Sequence, residues 1–207
     1  MDISANNRIY LPIVMLAATA MLIGTAWIGD DAFITLRVID NFINGFGLRY
    51  NVIERVQVFT HPLWLLSLTP FYALTKEAMV TTMLVSVFMT LGALWLMVTK
   101  VAQNRECACI LVLIAAISPT ISSFSTSGLE SPLTFLLLTL FVWQSSRTER
   151  IWIPAGIGGL LLLNRLDLFI LLGPALVYLL FYAHGKERIK VALSAMYPAI
   201  WTRLAQQ

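Results

Sequence analysis

Charge is what this sequence has least of. Asp, Glu, Lys and Arg make up 12% of its 207 residues against 58% hydrophobic, and the mean hydropathy is +0.80. An ordinary soluble domain carries roughly twice that share of charge, so the shortage excludes a soluble globular fold and points to an integral membrane protein. The net charge of +3 forms no basic patch interleaved with aromatics, so no nucleic-acid partner is expected. Cysteine is nearly absent. Cys107 and Cys109 stand two apart at the start of an apolar run, where helical geometry sends them to different faces; they read as small core residues with no redox signal. Two histidines supply no His/Cys metal cluster.

What is there is hydrocarbon. A helix crossing the bilayer needs ~20 apolar residues. Residues 9–28, 79–98 and 107–124 come close to that, with 129–144, 151–163 and 168–183 as further candidates. The first run is longer than a signal h-region and is followed by acids instead of a clear small-x-small cleavage site, so it reads as a retained helix. The fold expected is all-α, a polytopic transmembrane bundle forming a single domain over residues 1–207.

The sorting of Lys and Arg sets its orientation. Arg8, Lys100 with Arg105, Arg147 with Arg150, and Lys186 with Arg188 and Lys190 all fall on the cytoplasmic side if residues 62–75 do not cross. That segment is short and interrupted by Pro70, so it is expected to dip into the membrane or lie along it. Six crossings result, with residues 191–201 beginning another. Residues 29–61, 76–77, 122–131 and 164–167 then face outward. They hold seven of the eleven acids: Asp30, Asp31, Asp40, Glu54, Glu77, Glu130 and Asp167. Asp30, Asp31, Glu130, Arg165 and Asp167 sit at the ends of apolar segments, where ionisable groups are candidates for function.

The first outer loop opens as an amphipathic juxtamembrane helix. Leu36, Ile39, Ile43 and Phe46 keep the three-four spacing of an apolar stripe, expected to lie apolar side down on the membrane. Asp30, Arg37, Asn41 and Asn44 share another face, and Gly45 and Gly47 end the helix. One aspartate of the Asp30–Asp31 pair could serve as an N-cap. Two in a row can also point to different ligands, such as an acceptor hydroxyl and a divalent cation. Arg49 and Arg55 could hold a phosphate through paired N–H donors, or pair with Asp40, Glu54 or anionic headgroups. His61, before Pro62, reads as a structural hydrogen-bonding group or a catalytic one.

These residues resemble a known family. "GDDAFITLR", followed by the pieces "NG-x-GL-x-YN", "ERV" and "PLW", is similar to the first extracytoplasmic loop of GT-C membrane glycosyltransferases, in the bacterial branch that includes mycobacterial cell-wall arabinofuranosyltransferases. "STSGLESPLTFLLL" (residues 125–138) resembles the T-S-G-(M/L)-E motif of that branch. "LNRLDLF" resembles R-P-(D/E)-G, with Leu166 and Leu168 in place of the usual proline and glycine. GT-C chains are usually at least twice as long, so the resemblance implies the N-terminal part of such a fold, incomplete at the C-terminus.

The resemblance implies an enzyme of the bacterial cytoplasmic (inner) membrane, with its N-terminus in the cytoplasm and its site outside. Such an enzyme moves a sugar, with inversion, from a polyprenyl-phosphate carrier to a glycan, lipid or protein acceptor of the cell envelope. By position, Asp30 is the base. Asp31 orients the acceptor or binds a divalent cation (Mg, Mn or Ca). Arg37 is a further substrate-binding candidate; Arg55, His61 and Arg165 face the lipid phosphate, and Glu130 and Asp167 the sugar hydroxyls. Membrane lipids are the surrounding partners, and the apolar groove beside residues 62–75 would take the polyprenyl tail. Two other readings stay open: a non-catalytic remnant or subunit that depends on a separate partner, and a small transporter. The transporter fits less well, because no charge sits mid-span in the long apolar runs.

Overall fold

The structure is a computed structural model that describes residues 7–54, 58–147, 150–183 and 185–195. Arg55 and the end of the segment expected over 191–201 lie outside the described residues. The described elements are helical, in keeping with the all-α expectation: α1 (Asn7–Gly24), α2 (Asp30–Ile43), α3 (Pro62–Thr75), α4 (Ala78–Leu96), α5 (Arg105–Ile117), α6 (Pro119–Ser122), α7 (Ser131–Arg147), α8 (Trp152–Asn164), α9 (Phe169–Tyr182) and α10 (Lys186–Ala195).

Local chemistry sets several of the helix ends. The Glu77 carboxylate accepts from Val80 N at 2.8 Å to open α4, and Asn104 Oδ1 accepts from Cys107 N at 2.8 Å to open α5, each satisfying a donor that the first turn leaves without a partner. Pro62 and Pro119 occupy first-turn positions in α3 and α6, where a missing N–H costs nothing. Pro119 also ends α5 at Ile117, because the residue before a proline avoids the helical region. The apolar run expected over 107–124 is therefore divided.

Among the described residues, one helical stretch, Ala78–Val101, is by itself long and apolar enough to cross a membrane; Pro12–Gly24, Trp152–Asn164 and Leu166–Tyr182 are shorter apolar helices. Helix α7 packs between α4 and α8, α10 lies against α8 and α9, and α1 against α4. Along the buried face of α4 run Thr82, Ser86, Thr90 and Ala93, small side chains that let neighbouring helices come close. The lipid-like exterior is carried by Leu84 and Phe88 on α4 and by Ile170 and Phe181 on α9, all strongly exposed.

Helix α3 runs along one end of this bundle. It starts beside Glu130, at the head of α7, and its last residue, Thr75, shares a hydrogen bond of 2.6 Å with Thr81 in the first turn of α4. The stripe of α2 expected to rest on lipid is turned onto α3 instead. Val38 and Ile39 are fully buried in one cluster with Trp64, Leu65 and Leu68, and Ile43 packs at its edge. Phe46 falls beyond the end of the helix and is half exposed.

Gly128 is the tightest point of the fold. Its φ is +82°, and a Cβ there would lie 2.6 Å from Ala32 Cβ. Gly158 on α8 would place a Cβ 2.7 Å from Leu176 Cδ2, the tip of a flexible side chain. Gly128→Ala combines a left-handed penalty with a clash against a rigid helix and is expected to cost about 2–4 kcal/mol. Gly158→Ala should cost less, and thermal unfolding of the two variants in one detergent checks the order.

Candidate active site

Three stretches far apart in sequence close on each other at the α3 end of the bundle. After α1 stops at Gly24, the chain pairs with the segment before α7 instead of continuing its helix. Thr25 Oγ1 donates to Ser122 O at 2.9 Å, Trp27 Nε1 to Ser123 O at 2.8 Å, and Gly29 N to Ser127 O at 2.9 Å. The third partner is Trp64 in the first turn of α3, which is fully buried and donates from Nε1 to Gly128 O at 2.9 Å. Thr126 and Ser127 are themselves fully buried. The "GDDA", "TSGLE" and "PLW" stretches thus form one interlocked seam.

Asp30 and Asp31 emerge from this seam as the first two residues of α2. The N-cap is Gly29, with extended backbone and no side-chain capping bond, so neither aspartate serves as the cap. Both are exposed, and among the described residues neither carboxylate has a hydrogen-bond or ion-pair partner. The α2 N-terminus favours their negative charge. No group of three or more His, Cys, Asp or Glu side chains suited to a metal converges among the described residues. These residues do not form a protein-built cation cage around Asp31.

His61, Glu130, Arg165 and Asp167 come together in a second cluster. Glu130 is its hub, 5% exposed. Its Oε1 lies 3.4 Å from Arg165 Nη1 and its Oε2 3.1 Å from His61 Nε2. The His61 contact lacks the alignment of a hydrogen bond, and the same nitrogen stands 2.9 Å from Thr60 Oγ1. Arg165 grips Asp167 with two bonds, Nε at 3.1 Å and Nη2 at 2.6 Å. That fork holds the Asp167 carboxyl below the usual carboxylate range, and the same hydrogen bond pushes the Arg165 guanidinium up against the opposing effect of burial. All three guanidinium nitrogens of Arg165 therefore face carboxylates.

Arg37 is elsewhere. Its Nε donates to Tyr50 O at 3.2 Å and its guanidinium lies 4.7 Å over the Tyr50 ring, so it braces the loop after α2. Residue typing alone passes over two members of the site. Trp64 is hidden in an apolar run. Asn164 is fully buried at the end of α8 and donates from Nδ2 to Thr134 Oγ1 at 2.9 Å and to Glu130 O at 3.3 Å. Its signal was a lone amide closing a wholly apolar helix, where burial demands a partner.

Burial separates the two carboxylates of the cluster. Glu130→Ala is expected to cost about 1–3 kcal/mol, because it removes the buried carboxylate on which Arg165 and His61 converge, and Asp167→Ala less than about 1 kcal/mol, because its pair with Arg165 is exposed. Since the Asp167 pKa is depressed, its contribution is present at neutral pH and is lost as pH falls through that depressed value. Unfolding midpoints measured from neutral to acid pH should show Asp167→Asn losing part of the acid-side slope while Glu130→Ala lowers the whole curve.

The chain is similar to one curated protein, the terminal beta-(1->2)-arabinofuranosyltransferase of Mycobacterium tuberculosis (strain ATCC 25618 / H37Rv), with 34% identity over 131 residues, covering 57% of this chain and 21% of that protein. No protein-family model matches, and no solved structure matches significantly. The chain thus spans about a fifth of the length of the curated relative it matches.

Proposed function

We propose that this chain carries the acceptor-activating part of a polytopic GT-C glycosyltransferase of the bacterial cytoplasmic membrane, with the seam and both clusters on the extracytoplasmic side. The donor is a polyprenyl-phosphate-linked sugar and the acceptor a hydroxyl of a cell-envelope glycan, lipid or protein. The observation that carries this reading is the pair of exposed carboxylates of Asp30 and Asp31, without partners among the described residues, on a helix start locked into a buried seam. A base must be free of internal partners yet held in place.

The chemistry needs few groups. Asp30 takes the proton of the acceptor hydroxyl as its oxygen bonds to the anomeric carbon from the side opposite the phosphate, and Asp31 orients that acceptor. The bond to the phosphate oxygen breaks and its electron pair leaves on a group that is already ionised, so no general acid is required. Glycoside hydrolysis, by contrast, ordinarily uses two carboxyl groups. Arg55 and His61 meet the phosphate charge. Arg165, already shared by Asp167 and Glu130, shapes the carboxylate edge that receives the sugar hydroxyls, and Arg37 braces the loop after α2.

Asp30→Asn should abolish transfer of envelope sugar, lowering it by about a hundredfold or more, with membrane insertion unchanged; undiminished transfer would remove Asp30 as the base and favour a non-catalytic subunit. Topology is open to a separate check. Cys107 and Cys109 are free thiols at the start of α5, and an impermeant thiol reagent should leave them unlabelled in intact cells and label them after permeabilisation. Labelling from outside would overturn the proposed orientation.

A further inference from the structure

The turn that follows α2 presents apolar side chains outside any helix. Ile53 is 97% exposed, more than any other large apolar residue described, with Val52 at 46% and Phe46 at 49%. Such groups facing water on a loop are unfavourable unless something covers them.

This loop is braced along its length. Asn41 Nδ2 donates to both Arg49 O and Tyr50 O at 2.9 Å, Arg37 Nε to Tyr50 O at 3.2 Å, and Arg49 Nη1 to Val52 O at 3.1 Å. Leu48 and Tyr50 pack against the core. Side chains therefore satisfy three carbonyls leading to the tip. In open water those carbonyls would be solvated without help, but where water is scarce each one left bare is costly. Two of the three braces are arginines, cations suited to the phosphate layer of a bilayer. The nearby acids differ: Asp40 is tied to Tyr72 and Asn44, and Glu54 is exposed.

We propose that Phe46, Val52 and Ile53 form a lipid anchor that enters the boundary between headgroups and acyl chains, with Arg37 and Arg49 at phosphate level. The anchor fixes the height of α2, and hence of Asp30 at its other end, above the bilayer. The inference rests on the membrane placement proposed above and not on the catalytic reading.

The test uses the full chain with Cys107→Ser and Cys109→Ser, one new cysteine labelled with bimane, and vesicles of phosphatidylcholine and phosphatidylglycerol. Label on Ile53→Cys should be blue-shifted, quenched by lipid carrying a nitroxide near its headgroup, and protected from aqueous iodide; Asn44→Cys should show the reverse. Leu84→Cys, on the exposed face of α4, reports whether the chain is in the bilayer at all. Lipid quenching at Leu84→Cys with strong iodide quenching at Ile53→Cys would overturn the anchor while membrane placement stands. A blue shift at Ile53→Cys without lipid quenching would overturn it in favour of a covering protein segment. Absence of lipid quenching at both positions would overturn the anchor together with the membrane placement.

Discussion

The fold depends on one buried hydrogen bond, from the Trp64 indole to the carbonyl of Gly128. Gly128 can offer that carbonyl only because its backbone is left-handed and it has no Cβ to strike Ala32. With this contact made, the head of α3 and the start of α2 are drawn onto the stretch before α7, and the bond from Gly29 N to Ser127 O closes the same seam. An indole N–H buried without an acceptor would cost a few kcal/mol, so Trp64 stays inside the seam only while the glycine carbonyl is there to meet it. The position of Asp30 follows from that closure: the residue before it is fastened, and its own side chain has no partner among the described residues.

A second constraint is the carboxylate of Glu130, buried at the head of α7. An ionised group there has to be met by cations or donors, and it is met by His61 from the start of α3 and Arg165 from the end of α8. The glutamate ties together the ends of α3, α7 and α8, helices whose Leu65, Leu133 and Leu161 already share one buried apolar cluster. Asn164 adds a bond to its backbone carbonyl, so both the main chain and the side chain of Glu130 are engaged. Arg165 is left with little freedom. Its fork is divided between two acids, so it acts as a fixed element of a polar surface more than as a mobile clamp for a phosphate.

Helix α2 shows how one amphipathic pattern can be used in two ways. Its apolar stripe is taken up by α3, while Arg37 and Asn41 on another face reach forward to support the loop that follows. The helix is therefore a lever with its catalytic candidates at one end and an apolar tip at the other, held in the middle by the core.

Periodicity and composition determined much of this by themselves. The apolar runs over 151–163 and 168–183 became α8 and α9 within a residue or two, because runs of that length exceed a typical strand and favour a helix. The helix starting at Asp30 and the turn at Gly45 and Gly47, both with positive φ, were equally legible. Asp30, Asp31, Glu130, Arg165 and Asp167 stood out in the sequence as candidates, being charges at the ends of apolar segments. Tertiary structure alone decided their employment. A stripe on α2 says that one face must be covered but not that α3 will cover it. A lone arginine near an acid says nothing of whether its fork is already full. Residues 61, 130 and 165 form one cluster only because three helices end at the same place, and pairing across such distances is set by packing in space, which no local pattern in the chain records.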